Sequence, residues 1–141
     1  MEGIQLNLDV RGIEPLIRKI DGISKRTADQ SKACAVASMV MYQDVMKHFQ
    51  EERGPDGKWQ ALSIVTLRRR RGKQAKILQD TGTLRTSIGP SSDRNMARVG
   101  TNIIYASKHQ FGEKVPKREF LWLSKEARER IIKNYWNWNR A

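Results

Sequence analysis

Hydrophobic and polar residues alternate over residues 4–10, where Gln5, Asn7 and Asp9 separate Ile4, Leu6, Leu8 and Val10. A period of two predicts a strand with one buried face. After Gly12 the period changes. Ile13, Leu16, Ile17, Ile20 and Ile23 recur at spacings of three and four, which predicts an amphipathic helix with Pro15 in its first turn. Thr27 and Gln30 have capping-box spacing, so a long helix is expected to follow, to about Glu52. Ala35, Met39, Tyr42, Met46 and Phe49 share one of its faces, expected to be core or, in a ring-forming protein, a subunit contact. At about 1.5 Å per residue this helix would be about 35 Å long.

Gly54-Pro55-Asp56-Gly57 is a dense turn signal that ends the helix. Trp59 and Leu62 are expected to cap the core, followed by a short helix near 63–70 and a basic loop. Asp80-Thr81-Gly82 reads as a second turn. Leu84, Thr86 and Ile88 alternate with Arg85 and Ser87, which predicts a strand, and Gly89-Pro90-Ser91-Ser92-Asp93 reads as the loop after it. A second strand is expected over Met96 to Thr101, extended or followed by Ile103 to Tyr105. Short strands joined by tight turns favour an antiparallel meander. Gly112 and Pro116 bound another loop. Phe120 to Leu123 reads as a final strand or as the lead into a helix capped by Ser124 and marked by Ala127, Ile131, Tyr135 and Trp138. The expected architecture is α+β in a single domain over residues 1–141: an N-terminal strand, helices (one long), a central antiparallel sheet and a C-terminal helix.

Composition adds charge to this picture. The chain has 141 residues and a net charge of +12, with 30% charged and 38% hydrophobic residues, a balance that suits a folded domain. So basic a protein often meets nucleic acid, an anionic membrane or an acidic protein surface. No apolar stretch approaches the length of a membrane helix. The first residues show no basic run followed by an apolar segment, so no secretory signal is expected. The single cysteine, Cys34, lies among Ala33, Ala35 and Val36 and reads as a small buried apolar residue.

From Gly54 onward, phrases occur in a distinctive order. Pro55-Asp56-Gly57-Lys58-Trp59 is followed by Leu62-Ser63, Thr66-Leu67, Ile77-Leu78-Gln79-Asp80-Thr81-Gly82, Leu84-Arg85 and Ser87-Ile88. Next come Val99-Gly100-Thr101-Asn102, Tyr105-Ala106, His109-Gln110-Phe111-Gly112 and Phe120-Leu121-Trp122-Leu123-Ser124. This succession, over about residues 50–130, resembles the phage virion-morphogenesis or tail-completion family of Mu-like phages and prophages. Two departures stand out. The family usually carries Arg-Pro-Phe where this chain has Arg118-Glu119-Phe120, and a small residue where it has Trp122. The resemblance implies a non-enzymatic structural protein of the tail or neck, located in the virion and made in the bacterial host cytoplasm. Its implied partners are itself, in a homo-oligomeric ring that would be six-fold to match a tail, and other neck, head-connector or tail-tube proteins.

Several motif residues have a physical reading beside the family one. Gly82 and Gly100 sit where a chain must turn or pack closely. Asp80 can fix an Asx-turn. Tyr105 and Phe111 are expected to anchor the sheet against the long helix, and Gln110 to satisfy backbone groups at a sheet end. The remaining motif positions, Asp56, Gly57, Trp59, Gly112 and Phe120, read as turn or core.

Catalytic patterns are weak. His48 reads as structural. His109 could be imagined with Asp80 as an acid–base pair, but no nucleophile or metal partner accompanies it, and a hydrogen-bonded structural role is favoured. No phosphate-binding glycine loop, dinucleotide fingerprint or zinc signature is present, so no cofactor or metal is expected. The contact candidates are two. Arg68, Arg69, Arg70, Arg71, Lys73 and Lys76 form a basic run that is simply solvated, meets an acidic face of a neighbouring protein, or transiently faces genomic DNA through phosphate contacts. Tyr135, Trp136 and Trp138 are either interface anchors or residues folded back on the core. The alternative function is a basic, non-specific DNA-binding accessory protein.

Overall fold

In a computed structural model, the structure describes residues 3–9, 30–70, 76–79 and 81–140. The sequence-predicted helix over residues 13–23, the Thr27 capping residue, Arg71, Lys73 and Asp80 lie outside them. The elements in chain order are β1 (Ile4–Asp9), α1 (Ser31–Glu51), β2 (Arg53–Gly54), β3 (Gly57–Lys58), α2 (Ile64–Arg69), α3 (Thr83–Ser87), β4 (Gly89–Ser92), β5 (Met96–Thr101), α4 (Ala106–Phe111) and α5 (Lys125–Arg140). The fold is mixed α+β. One antiparallel sheet has the strand order β1-β5-β4, and β2 and β3 pair as a small antiparallel hairpin with Arg53 opposite Lys58.

The residues group into two units, each built from discontinuous segments. The first comprises Met1–Gln5, Val45–Gly89 and Gly100–Trp122, and the second Leu6–Asp44, Pro90–Val99 and Leu123–Ala141.

In the first unit, the last part of α1 buries Val45, His48 and Phe49. Phe49 meets the ring of Trp59 edge-on at 5.6 Å and that of Phe120 at 5.5 Å. Such aromatic pairs add about 0.5–1.5 kcal/mol each beyond the area they bury. The helix ends where Glu52 adopts a left-handed conformation, φ 53°. Two bonds hold that turn: the Trp59 amide donates to the Glu52 carbonyl at 2.8 Å, and the Ile77 amide donates to the Glu52 carboxylate at 2.8 Å. Ile77, Leu84, Ile88, Ala106 and Leu121 complete the apolar core of this unit.

In the second unit, α1 buries Cys34, Ala37, Val40 and Met41. The sequence of α1 favours a helix: it is rich in alanine and methionine and has no glycine or proline. Opposite lie Ala127, Ile131 and Tyr135 of α5, four residues apart and therefore on one face. Cys34 and Tyr135 pack together, flanked by Ala33 and Trp136. Cys34 is thus the small buried residue that its neighbours suggest. The start of α5 is fixed by Ser124, whose Oγ accepts from the Ala127 amide at 3.1 Å. Asp44 of α1 grips the same residue twice, accepting from the Ser124 amide at 2.8 Å and from its hydroxyl at 2.7 Å.

Three expectations are corrected. Thr83–Ser87 is a short helix and not a strand, because Gly82 turns the chain at φ 78° and the Thr86 amide closes a turn onto the Gly82 carbonyl. Leu84 and Ile88 are both buried, as a spacing of four on a helical turn allows, so their alternation with polar residues misled. Gly89–Ser92 is a strand and not a loop: paired with β5, it needs little side-chain propensity of its own. Finally, the buried face of α1 is displaced from the Ala35, Met39, Tyr42, Met46 stripe. Ala35 and Met39 are exposed and Tyr42 and Met46 half-buried, and only Phe49 of that set is fully covered.

Candidate functional site

The first unit contains a cleft of about 450 Å³. One wall is the chain from Gln60 to Thr66 with Arg70; another is Leu78 and Thr81–Leu84; the third is Tyr105, His109, Val115, Pro116 and Arg118. Much of the ordered series of phrases read from the sequence converges here.

Arg118 sits at the back of the cleft, 7% exposed. Its Nε donates to the Gln60 carbonyl at 2.9 Å and its Nη2 to the Ala61 carbonyl at 3.2 Å. The next residue returns the contact, since the Glu119 carbonyl accepts from Trp59 Nε1 at 2.9 Å. Arg118-Glu119-Phe120 and the Trp59–Ala61 segment are thereby laced together. Burial, and secondarily the charge of Arg70, lower the pKa of Arg118 from its usual value.

Gln110 locks the adjoining chain. Its Oε1 accepts from the amides of Phe120 and Leu121 at 3.0 and 2.9 Å, and its Nε2 donates to the Leu121 carbonyl at 2.8 Å. The expectation that Gln110 satisfies backbone groups holds, but the backbone is the irregular lead into α5 and not a sheet end. Phe120, which it positions, is fully buried.

His109 faces the cleft beside Tyr105, the two rings edge-to-face at 6.0 Å. Its Nδ1 is buried without a hydrogen-bond partner. Burial first, and the Arg118 charge second, lower its pKa from the usual histidine value. Asp80, its imagined acid–base partner, lies outside the described residues. The other histidine, His48, meets the Trp122 carbonyl through Nε2 at 3.1 Å. Among the described residues no group of three His, Cys, Asp or Glu side chains could hold a metal ion.

The other motif residues fall as follows. Asp56 is exposed in the β2–β3 turn and Gly57 begins β3, while Trp59 is buried. Gly100 lies on β5 so close to β1 that a Cβ there would stand 2.5 Å from the Gln5 Cβ and the Ile4 carbonyl oxygen. Gly112 terminates α4 in a left-handed conformation. Tyr105 and Phe111 do not anchor the sheet: they are 43% and 69% exposed. The six-residue α4 turns Ala106 and Gln110 inward, which leaves Phe111 on its outer side.

The basic run is divided. Arg68 and Arg69 are exposed in the last turn of α2, and Lys76 is exposed. Arg70 is half-buried and donates to the Lys76 carbonyl at 2.6 Å. Of the aromatic candidates, Tyr135 belongs to the core and Trp136 packs partly against it; the Trp138 side chain lies outside the description.

Sequence reasoning overlooked α2 as a surface. Ser63 caps it, its Oγ accepting from the Thr66 amide at 3.2 Å, yet none of its residues is buried. Ile64, Val65 and Leu67 all face solvent. Three aliphatic residues within four positions between a cap and an arginine run gave the signal.

A model of the phage virion morphogenesis family matches residues 12–138. A Haemophilus influenzae protein described as Mu-like prophage FluMu G protein 2 is 26% identical over 137 residues, 92% of each chain. No solved structure matches. No helix among the described residues is long and apolar enough to cross a membrane. With the match running from residue 12 into α5, the chain belongs to the phage virion morphogenesis family.

Proposed function

We propose that this protein is a structural component that completes the tail or neck at the head–tail junction, acting as a homo-oligomeric ring, six-fold to match a tail. Family membership supports a role in building the particle. The observation that carries the finer reading is α2, a capped helix that buries none of its six residues and presents Ile64, Val65 and Leu67 outward. Clustered exposed aliphatic side chains mark an association surface. A stiff subunit carrying such a surface can close on itself, because its geometry fixes the rotation from one copy to the next. Its work is shape and adhesion, with other neck, head-connector or tail-tube proteins as further partners.

The test is reconstitution. Tails from a phage lacking this protein are mixed with purified heads, with and without the added protein. Joining into infectious particles only when it is present is the expected result, and normal joining in its absence would sink the assignment.

A second reading, a basic DNA-binding accessory protein, draws on Arg68 and Arg69, exposed side by side on a chain of net charge +12. It expects duplex binding that falls steeply with salt and disappears when Arg68 to Arg71 become alanine.

A further inference from the structure

The cleft holds a buried cation with no described carboxylate to meet it. Arg118 is more than nine-tenths covered, and the two bonds it makes go to neutral carbonyl oxygens. Burying a charge is costly unless an opposite charge compensates it. The charge of Arg70, which acts on it, has the same sign. None of the described residues lining the cleft is acidic. In the same wall, the Nδ1 of His109 is buried and unpartnered.

We infer that the cleft receives a carboxylate side chain from an acidic segment of a partner protein, with the Arg118 guanidinium as its charge partner. Arg118 Nη1 has no acceptor among the described residues and supplies the contact. Leu62, Leu84, Val115 and Pro116 make the walls partly apolar, and the exposed Ile64, Val65 and Leu67 adjoin the Ser63–Thr66 wall. An apolar frame around a buried charge fits a peptide segment, whose acidic side chain enters while apolar neighbours cover the rim. Duplex phosphates lie along a wide polyanion that cannot follow a single side chain into a cleft. The net charge of +12 makes a separate acidic protein a better source than another basic copy of this chain. This deepens the assembly role proposed above and rests on it.

The protein is isotope-labelled, and the side-chain Nε–H signal of Arg118 is followed by NMR, assigned by its loss in Arg118→Lys. A short peptide alternating glutamate and leucine is expected to shift that signal and to bind about tenfold or more tighter than its glutamine counterpart. Val115→Trp narrows the cleft while leaving Arg118 in the sequence, and is expected to weaken peptide binding about tenfold or more with an unchanged melting temperature. Equal binding of the two peptides, or an Arg118 signal that the glutamate peptide leaves in place, overturns the inference. So does a shift produced by duplex DNA and not by the peptide, which makes the cleft a phosphate site. Reconstitution reports separately: heads and tails that need the protein to join, beside a cleft indifferent to carboxylates, leave the assembly role standing and this inference refuted.

Discussion

The imidazole of His48 lies flat on the indole of Trp122, ring centroids 3.8 Å apart and planes within 8°. The His48 Nε2–H donates to the carbonyl of that same tryptophan at 3.1 Å, since a carbonyl can only accept. Trp122 thus covers a buried histidine. Trp122→Ala is expected to cost about 1–3 kcal/mol, short of a full core deletion because the indole is itself only partly buried. Chemical denaturation of variant and parent measures it, and an unchanged midpoint would contradict the packing role.

Gln110→Ala strands the amides of Phe120 and Leu121 and the Leu121 carbonyl in a buried setting. Unsatisfied buried groups cost about 1–3 kcal/mol each, so a loss of about 2–4 kcal/mol is expected after partial relaxation. Gln110→Glu keeps the acceptor for both amides and is expected to lose less. Denaturation curves that rank the two variants the other way would refute this account.

Gly100→Ala drives a methyl group into β1. With Gln5 and Ile4 at 2.5 Å, the strands must separate, and a loss of about 2 kcal/mol or more is expected. Amide exchange along β1 offers the sharper readout: protection at residues 4–6 is expected to fall before that at α5.

Acid is expected to weaken the first unit through His109. Its folded pKa lies below the unfolded value, with burial the main cause, so the unfolded chain binds its proton first. The contribution is complete above the unfolded value of about 6.5 and is lost as pH falls through it toward the folded pKa. His109→Gln is expected to flatten the decline of stability between about pH 7 and pH 5. Parallel curves for variant and parent over that range would rule out the effect.

Ile64→Ser with Val65→Ser separates folding from association. Both side chains are more than half exposed, so monomer stability is expected to stay within about 0.5 kcal/mol. Self-association, read by sedimentation, and head–tail joining are expected to drop together. Association unaffected by the double change would place the contact elsewhere.

Much of the fold was legible in the periodicities. β1, α1, β5 and α5 each carry a sustained pattern, and Ser124 announces the helix it caps. Failures cluster where a pattern is too short to fix a period. Over Leu84–Ile88, five residues satisfy a strand and a helical turn equally, and the left-handed Gly82 decides. On α1 a face shifted round the helix accounts for the mistaken stripe, because alanine and methionine score as apolar wherever they point. The cleft was legible as an ordered set of phrases but not as a shape. Arg118 and Gln60 are 58 positions apart, and no local spacing announces that they meet.

The grip of Asp44 on Ser124 spans 80 positions of sequence. During synthesis the long helix leaves the ribosome well before the segment that its carboxylate will hold. The last helix therefore emerges to find its starting point already built, and a chain cut short before Ser124 would keep the clamp but have nothing to close on.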